Sequence, residues 1–409
     1  MRLLSLTLIL LATQANGWTD PLSEANAVRF ALDNNQDLRA ARLGVEAAEA
    51  RLHGAGRLSN PELEIVVAGG QDFEGTVEVG LMQRFPLTAR LRLEKELSQL
   101  DVDAARQEVA DQERRLAAQV RKSFLAVATA RETRALRNRQ TETAANISTA
   151  LKRQAGEGFA SSLDVTQAAL EAAQLQASAE EAKAAEAASM GDLATLLGLP
   201  TTRSVALRGG LGLPDSLPAA RSSQGRPDLA LARIAITAAQ TDLALARAMR
   251  WKDIGLGVFV EGERFRDEPE GIENEALLGI KFSVPLPVWQ NGSAAVAERR
   301  LLAQRRQELL AGLQLRAAHE AQSTWKQMQA RFAAAQCLEQ EALPLAQKLL
   351  ADTQAIYERG EANTQSLFRA RQHLITVENE ALNARSAFHL VRSAWLFATT
   401  YPSDQPRQP

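Results

Sequence analysis

The stretch VEVGLMQRFPL, residues 77–87, alternates between two sides. Val77, Val79, Leu81 and Phe85 fall on one side; Glu78, Gly80, Met82 and Arg84 fall on the other. That period of two is the signature of a strand with unlike faces. A second stretch, LLGIKFSVPLP at 277–287, repeats it 199 positions later, with Gly279, Pro285 and Leu286 matching Gly80, Pro86 and Leu87. Both sit among long, alanine-rich, charged runs with helical periodicity. Isolated strand segments in a helical chain, one set per half, are what decides the fold.

Four strands are predicted, at about 62–69, 76–85, 253–262 and 276–285. In the third, Ile254, Leu256, Val258 and Val260 oppose Gly255, Gly257, Phe259 and Glu261; in the fourth, Leu278, Ile280 and Phe282 oppose Gly279, Lys281 and Ser283. These lengths suit a tilted strand crossing a bilayer, and the apolar sets, with Val77, Val79 and Leu81, are the expected lipid-facing residues. Trp251 and Trp289 flank the second hairpin at one end and Phe85 lies at the corresponding end of the first, as an interfacial aromatic girdle would. Alternation alone also fits a soluble sheet packing one face on helices. Four strands cannot close a barrel, and open edges in lipid leave backbone groups without partners. A membrane reading therefore requires several copies of the chain, three of which would supply twelve strands.

The helices are duplicated as well. NQDLRAARLGVEAAEARL resembles RPDLALARIAITAAQTDL, and the turn regions AGEGFASSLDVTQA and ERGEANTQSLFRARQ resemble each other at an offset of 204. Residues 88–155 contain no Gly or Pro, so one helix of 68 residues is expected, roughly 100 Å long. Leu93, Leu97 and Leu100, then Leu116, Val120, Phe124 and Val127, give it a coiled-coil-like seam. Its counterpart, 293–359, is expected to be interrupted at Gly312 and kinked at Pro344. The plan is a leader at 1–17; a first repeat at 18–197 with a tip turn at 156–160 and return helix at 161–197; a Pro/Gly-rich linker at 198–227; a second repeat at 228–398 with a tip turn at 360–363 and return helix at 364–398; and a tail at 399–409. Ser161 and Asp164 have the spacing of a capping box.

The first residues, MRLLSLTLILLATQANG, carry a basic Arg2, an apolar run and small residues at Ala15 and Gly17, the pattern of a secretory signal peptide. No later run approaches ~18 apolar residues, so no transmembrane helix is expected. Among 409 residues the 47 basic and 49 acidic side chains nearly balance, which leaves no electrostatic footprint for nucleic acid. The one cysteine, Cys337, sits in a helical pattern and is expected to be a small core residue. HEAQS at 319–323 begins like a zinc-protease helix, but Ser323 stands where the second His ligand would be. With four His and one Cys, no metal site is expected; catalytic residues and cofactors are none, and the chain does not read as an enzyme.

In this order and spacing, SNPELEIVVAGG, MQRFPLTARLRLE and the paired turns resemble the TolC family of outer-membrane efflux channels, over nearly all of the chain. The early NQDLRAARLGVEAAEARL followed by NPELE is especially similar to the heavy-metal efflux branch of the CzcC type. The resemblance implies a mainly α fold with a small β part, in which long helical hairpins form a trimeric α-barrel and four strands per chain form a 12-stranded β-barrel in the outer membrane. It implies a passive exit duct with metal cations as its cargo, drugs or secreted proteins being the alternative cargo. Its partners would be two further copies, outer-membrane lipid, a periplasmic membrane-fusion adaptor and an inner-membrane RND-type pump. The family's adaptor-docking tips match Gly156, Glu157, Gly158, Ser162 and Leu163 in one repeat and Gly360, Glu361, Ser366 and Leu367 in the other. Ser366 and Arg369 stand where some members carry an acidic gating ring. A soluble periplasmic adaptor or a structural coiled coil is the rival of a different class; an adaptor has one hairpin flanked by compact β-rich domains where this chain has two hairpins, and a coiled coil would leave the duplicated strands unexplained.

Overall fold

The computed structural model describes residues 21–69, 75–158, 160–199, 206–267 and 271–399, so the leader and all of the tail but Thr399 lie outside it. Eight α-helices and four strands follow in order: α1 (Glu24–Asn34), α2 (Gln36–Gly54), β1 (Glu62–Gly69), β2 (Gly75–Phe85), α3 (Arg90–Gly156), α4 (Ser162–Leu196), α5 (Pro227–Ala248), β3 (Ile254–Asp267), β4 (Gly271–Ser283), α6 (Ser293–Cys337), α7 (Leu343–Glu358) and α8 (Thr364–Thr399). They form two units. One comprises 36–115, 219–324 and the end of α8; the other comprises 21–35, 116–218 and 325–394.

The first unit holds the sheet. Its four strands are antiparallel in the order β1-β2-β3-β4, so β2 and β3, from different halves of the chain, are hydrogen-bonded neighbours. Arg90, at the start of α3, bonds Asp253 at 2.6 Å just before β3 and Glu94 at 2.7 Å, tying the long helix to the second hairpin. Leu38 in α2 and Leu229 in α5, equivalent in the repeat, are each only 2% exposed. Among the described residues α5 alone is long and apolar enough to cross a membrane by length and composition. Its Asp242 is ion-paired to Arg299 at 3.2 Å and its Asp228 to Arg226 at 2.7 Å.

The second unit is a helical bundle. Its core is built in layers that pair a large side chain with small ones. Phe368 packs with Leu151 and Ala168; Leu175 and Ile375 pack with Ala144; Leu136, Leu211 and Leu382 pack with Leu125 and Ala128. Alanine at the facing positions lets α3, α4 and α8 approach closely, which is why a chain with few aromatics fills its interior. The seam residues Leu116, Val120, Phe124 and Val127 are all buried, as their spacing requires.

Two expectations, at Gly312 and Cys337, are corrected here, while the interruption expected at Pro344 is present as a change of helix type. Gly312 lies within an uninterrupted α6, where neighbouring turns carry the helix through it. Before Pro344 the helix takes a π-helical turn, Leu338–Ala342, in which Leu343 N–H donates to the Leu338 carbonyl. The wider turn accommodates a residue that has no N–H and crowds the carbonyl before it. Cys337 is exposed, not a core residue: Met328 and Ala335 occupy the buried face of α6.

Candidate functional site

Two features stand out from the fold: the two faces of the sheet, and the paired turns between long helices.

The register sorts the sheet's side chains without ambiguity. Leu63, Leu81, Val258 and Ile280 form one cross-strand row, and Ile65, Val79, Val260 and Leu278 the next. Val67 and Val77 extend this face on one side, and Leu256 and Phe282 on the other. All of them are exposed, Leu278 and Ile280 to more than three quarters. A contiguous apolar face of this kind marks contact with lipid or with another protein. The residues expected from sequence to share a face do so, with Ile254 half-buried at the margin beside Phe85. Leu63, Ile65 and Val67 were missed. Their alternation with Glu62 and Glu64 is legible, but Val66 interrupts it.

Trp251 and Trp289 lie just outside the ends of β3 and β4 and are exposed, Trp289 by 94%. Phe85, paired with Ile254, is at the same end of the sheet. The hairpin of β3 and β4 is longer than expected: pairing runs through Phe265↔Glu273 to Asp267↔Gly271, so most of the stretch GERFRDEPEGIENE is strand rather than loop. The ladder of backbone bonds continues past the apolar band because those bonds do not depend on side-chain polarity.

The opposite face is polar and hollow. It carries Glu62, Glu64, Glu78, Glu261, Glu263, Glu273 and Glu275, against Arg84 and Lys281. Arg84 pairs with Glu62 at 3.1 Å; Lys281 Nζ pairs with Glu64 and Glu78, each at 2.9 Å. Glycines clear its centre. Met82 lies where a Cβ on Gly255 or Gly257 would sit. Gly80 and Gly279, matched in the duplicated sequence, flank Phe259 from both sides, and the Phe259 ring lies directly on Gly279. Gly279→Ala is therefore expected to displace the ring and lower stability by ~1–3 kcal/mol, the usual cost of overpacking. A lowered thermal midpoint in detergent would show it, and Phe259→Ala should remove most of the further effect of adding Gly279→Ala.

At the tips, α3 ends at Gly156 and α4 begins after Ser161; α7 ends at Glu358 and α8 begins after Asn363. The glycines that turn the chain are Gly158 (φ 82°) and Gly360 (φ 77°), in the left-handed region that side chains disfavour. After α7 the turn is a complete Schellman motif, with Gly360 N–H donating to Tyr357 O and Glu361 N–H to Ile356 O. The capping box at Ser161 is present, with Asp164 N–H donating to Ser161 Oγ and Ser161 N–H to the Asp164 carboxylate. Asn363 caps α8 through Ser366 N–H. Gly158 thus corresponds to Gly360 and Ser161 to Asn363, an offset of 202 where the sequence match gave 204. Burial agrees: Leu163 is 73% exposed whereas Leu367 is buried, because Leu367 holds the place of the inward-turned Val165. Gly156, Glu157, Ser162 and Glu361 lie at or beside these exposed turns.

Among the described residues no group of three or more His, Cys, Asp or Glu is placed to hold a metal ion.

Residues 27–199 match the family model described as outer membrane efflux protein. The cobalt-zinc-cadmium resistance protein CzcC of Cupriavidus metallidurans is 23% identical over 383 residues, covering 89% of this chain and 88% of that protein. The chain's fold is shared with CusC, at a TM-score of 0.75 and 18% identity over 92% of this chain and 91% of CusC. It is also shared with the outer membrane protein VceC of Vibrio cholerae (0.74, 17%, covering 92% and 95%) and with the open-state MtrE outer membrane channel of Neisseria gonorrhoeae (0.73, 18%, covering 92% and 88%). These are mostly helical proteins with long hairpins and a small β part, the fold class expected from the sequence.

Proposed function

We propose, from the match of residues 27–199 to the outer membrane efflux protein model, that this chain is one third of an exit duct: a homotrimer whose β-barrel stands in the outer membrane. The observation that carries the reading is the sheet, whose apolar face is bare while both of its edges, β1 and β4, are open. Unpaired edges are intolerable in lipid. With four antiparallel strands, β4 of one copy runs antiparallel to β1 of the next, so copies can join in a closed ring without breaking the alternation. The apolar face then meets lipid, the polar face lines a water-filled lumen, and Phe85, Trp251 and Trp289 lie at one interface.

The helical hairpins serve the other task. Leu163 is an apolar side chain left uncovered beside the turn, a suitable anchor for a periplasmic adaptor that links the duct to an inner-membrane RND-type pump. Such a duct needs no catalysis and no cofactor from this chain, since the pump supplies the driving force. Metal cations are the cargo favoured by the likeness to CzcC.

The purified protein should run as a trimer in detergent and conduct ions in a planar bilayer; a monodisperse monomer in plain buffer would end the proposal. The tips have their own test. Leu163→Asp is expected to leave the trimer intact and to abolish most metal tolerance in a strain that depends on this chain. Gly360→Val, strained by about 1–2 kcal/mol in a left-handed conformation, should act in the same direction. Undiminished tolerance in both variants would reject the docking role.

A further inference from the structure

Lys281 and Glu64 stand on the two edge strands of the sheet, β4 and β1, yet their side chains are 2.9 Å apart. Three strand spacings separate those edges, about 14 Å measured along the sheet. A contact that short requires the sheet to curl over its polar face, beside a hollow of about 880 Å³ lined in part by Glu64, Met82, Arg84 and Lys281.

In a closed barrel the same two edges meet differently. Curvature per strand falls as the strand number rises, so the two edges of one chain move apart across the lumen. Meanwhile β4 of one copy comes within one strand spacing of β1 of the next, roughly 5 Å. Charge complementarity favours that seam. Lys281 is the one ammonium among seven carboxylates of the polar face, and Arg84 already takes Glu62. Glu64 is the β1 carboxylate left to an incoming lysine.

We propose that Lys281 changes partners on assembly, leaving Glu64 of its own chain for Glu64 of the neighbouring copy, and so fastens the β4–β1 seam. The occupant of each open edge is thus a second copy of this chain, joined through this pair. The inference rests on the trimeric duct proposed above and specifies its joint. Glu78, on β2 of the same chain, is also 2.9 Å from Lys281 Nζ, so the lysine keeps one carboxylate while it exchanges the other.

The test uses full-length protein with Cys337→Ala, so that introduced cysteines are the only thiols. Chains carrying Lys281→Cys are co-expressed with chains carrying Glu64→Cys, and outer membranes are treated with a short bis-maleimide. A product of twice the chain mass, containing one of each chain, is expected, since this pairing cannot form within a chain. An intact trimer without that product overturns the inference and leaves the duct reading standing; absence of a trimer in the unmodified full-length chain would instead strike the duct reading. Charge exchange gives a second readout. Lys281→Glu should cut trimer yield at least several-fold, and Lys281→Glu with Glu64→Lys should recover it; equal loss in the single and double variants counts against the pair.

Discussion

Arginine at position 280 is expected to remove most assembled protein from the outer membrane. Ile280 lies at the middle of the row Leu63, Leu81, Val258 and Ile280, and three quarters of it faces outward with nothing of its own chain above it. A cation at the midplane of a lipid-facing strand costs ~2–4 kcal/mol, and each trimer would carry three. Leu256→Arg, nearer the aromatic end, should do the same with a smaller loss. The informative control is Leu277→Arg. Leu277 is also exposed, but it is on the opposite face, paired with Glu261, where a cation meets carboxylates and water. Heat-modifiable trimer in outer-membrane fractions is the measure. Equal tolerance of Ile280→Arg and Leu277→Arg would mean that the two faces do not have the environments assigned to them.

The second large effect is in the helices. Arg114, 3% exposed, bonds the Asp111 carboxylate at 2.7 Å and donates to the Phe397 carbonyl at 2.8 Å. Its guanidinium also sits 4.0 Å from the Phe397 ring centre, and it approaches Asp228 at 3.6 Å. Asp228 is shared with Arg226, which in turn binds Glu320 at 2.7 Å. Arg114→Leu leaves Asp111 to Arg115 and Asp228 to Arg226 but removes the buried cation between them and the donor to the Phe397 carbonyl; it is expected to cost ~1–3 kcal/mol, and Arg114→Leu with Asp111→Leu should recover much of it. Denaturant unfolding in detergent would measure both; a loss under ~1 kcal/mol for the single variant would show the network to be idle.

The same network sets a pH dependence. Burial pushes the Asp228 carboxyl upward, but the Arg226 hydrogen bonds and the charges of Arg226 and Arg114 hold it below the ordinary range. A folded-state value below the unfolded one contributes stability that is present above about pH 4 and lost as the pH falls through the folded value. Arg226→Met is therefore expected to move acid unfolding to higher pH.

Much of this was legible in the chain itself. Local periodicity is a property of neighbouring residues, so the strands, the long helices and the apolar sets of β2, β3 and β4 follow from spacing alone. So does the capping box at Ser161, which needs only two residues three apart. The tertiary structure alone decided what joins distant parts. That β2 lies against β3 depends on backbone bonds between residues some 180 positions apart, to which side-chain patterns are indifferent. That pairing also places Gly80 and Gly279 on the same phenylalanine. The correspondence of the tips shifted from 204 to 202 because a turn is fixed by which glycine takes positive φ, not by which letters match. Cys337 proved exposed because the buried side of a helix is chosen by what packs on it. And Lys281, in sequence one polar residue alternating among apolar ones, found its partner only where a curled sheet brought its two edges together.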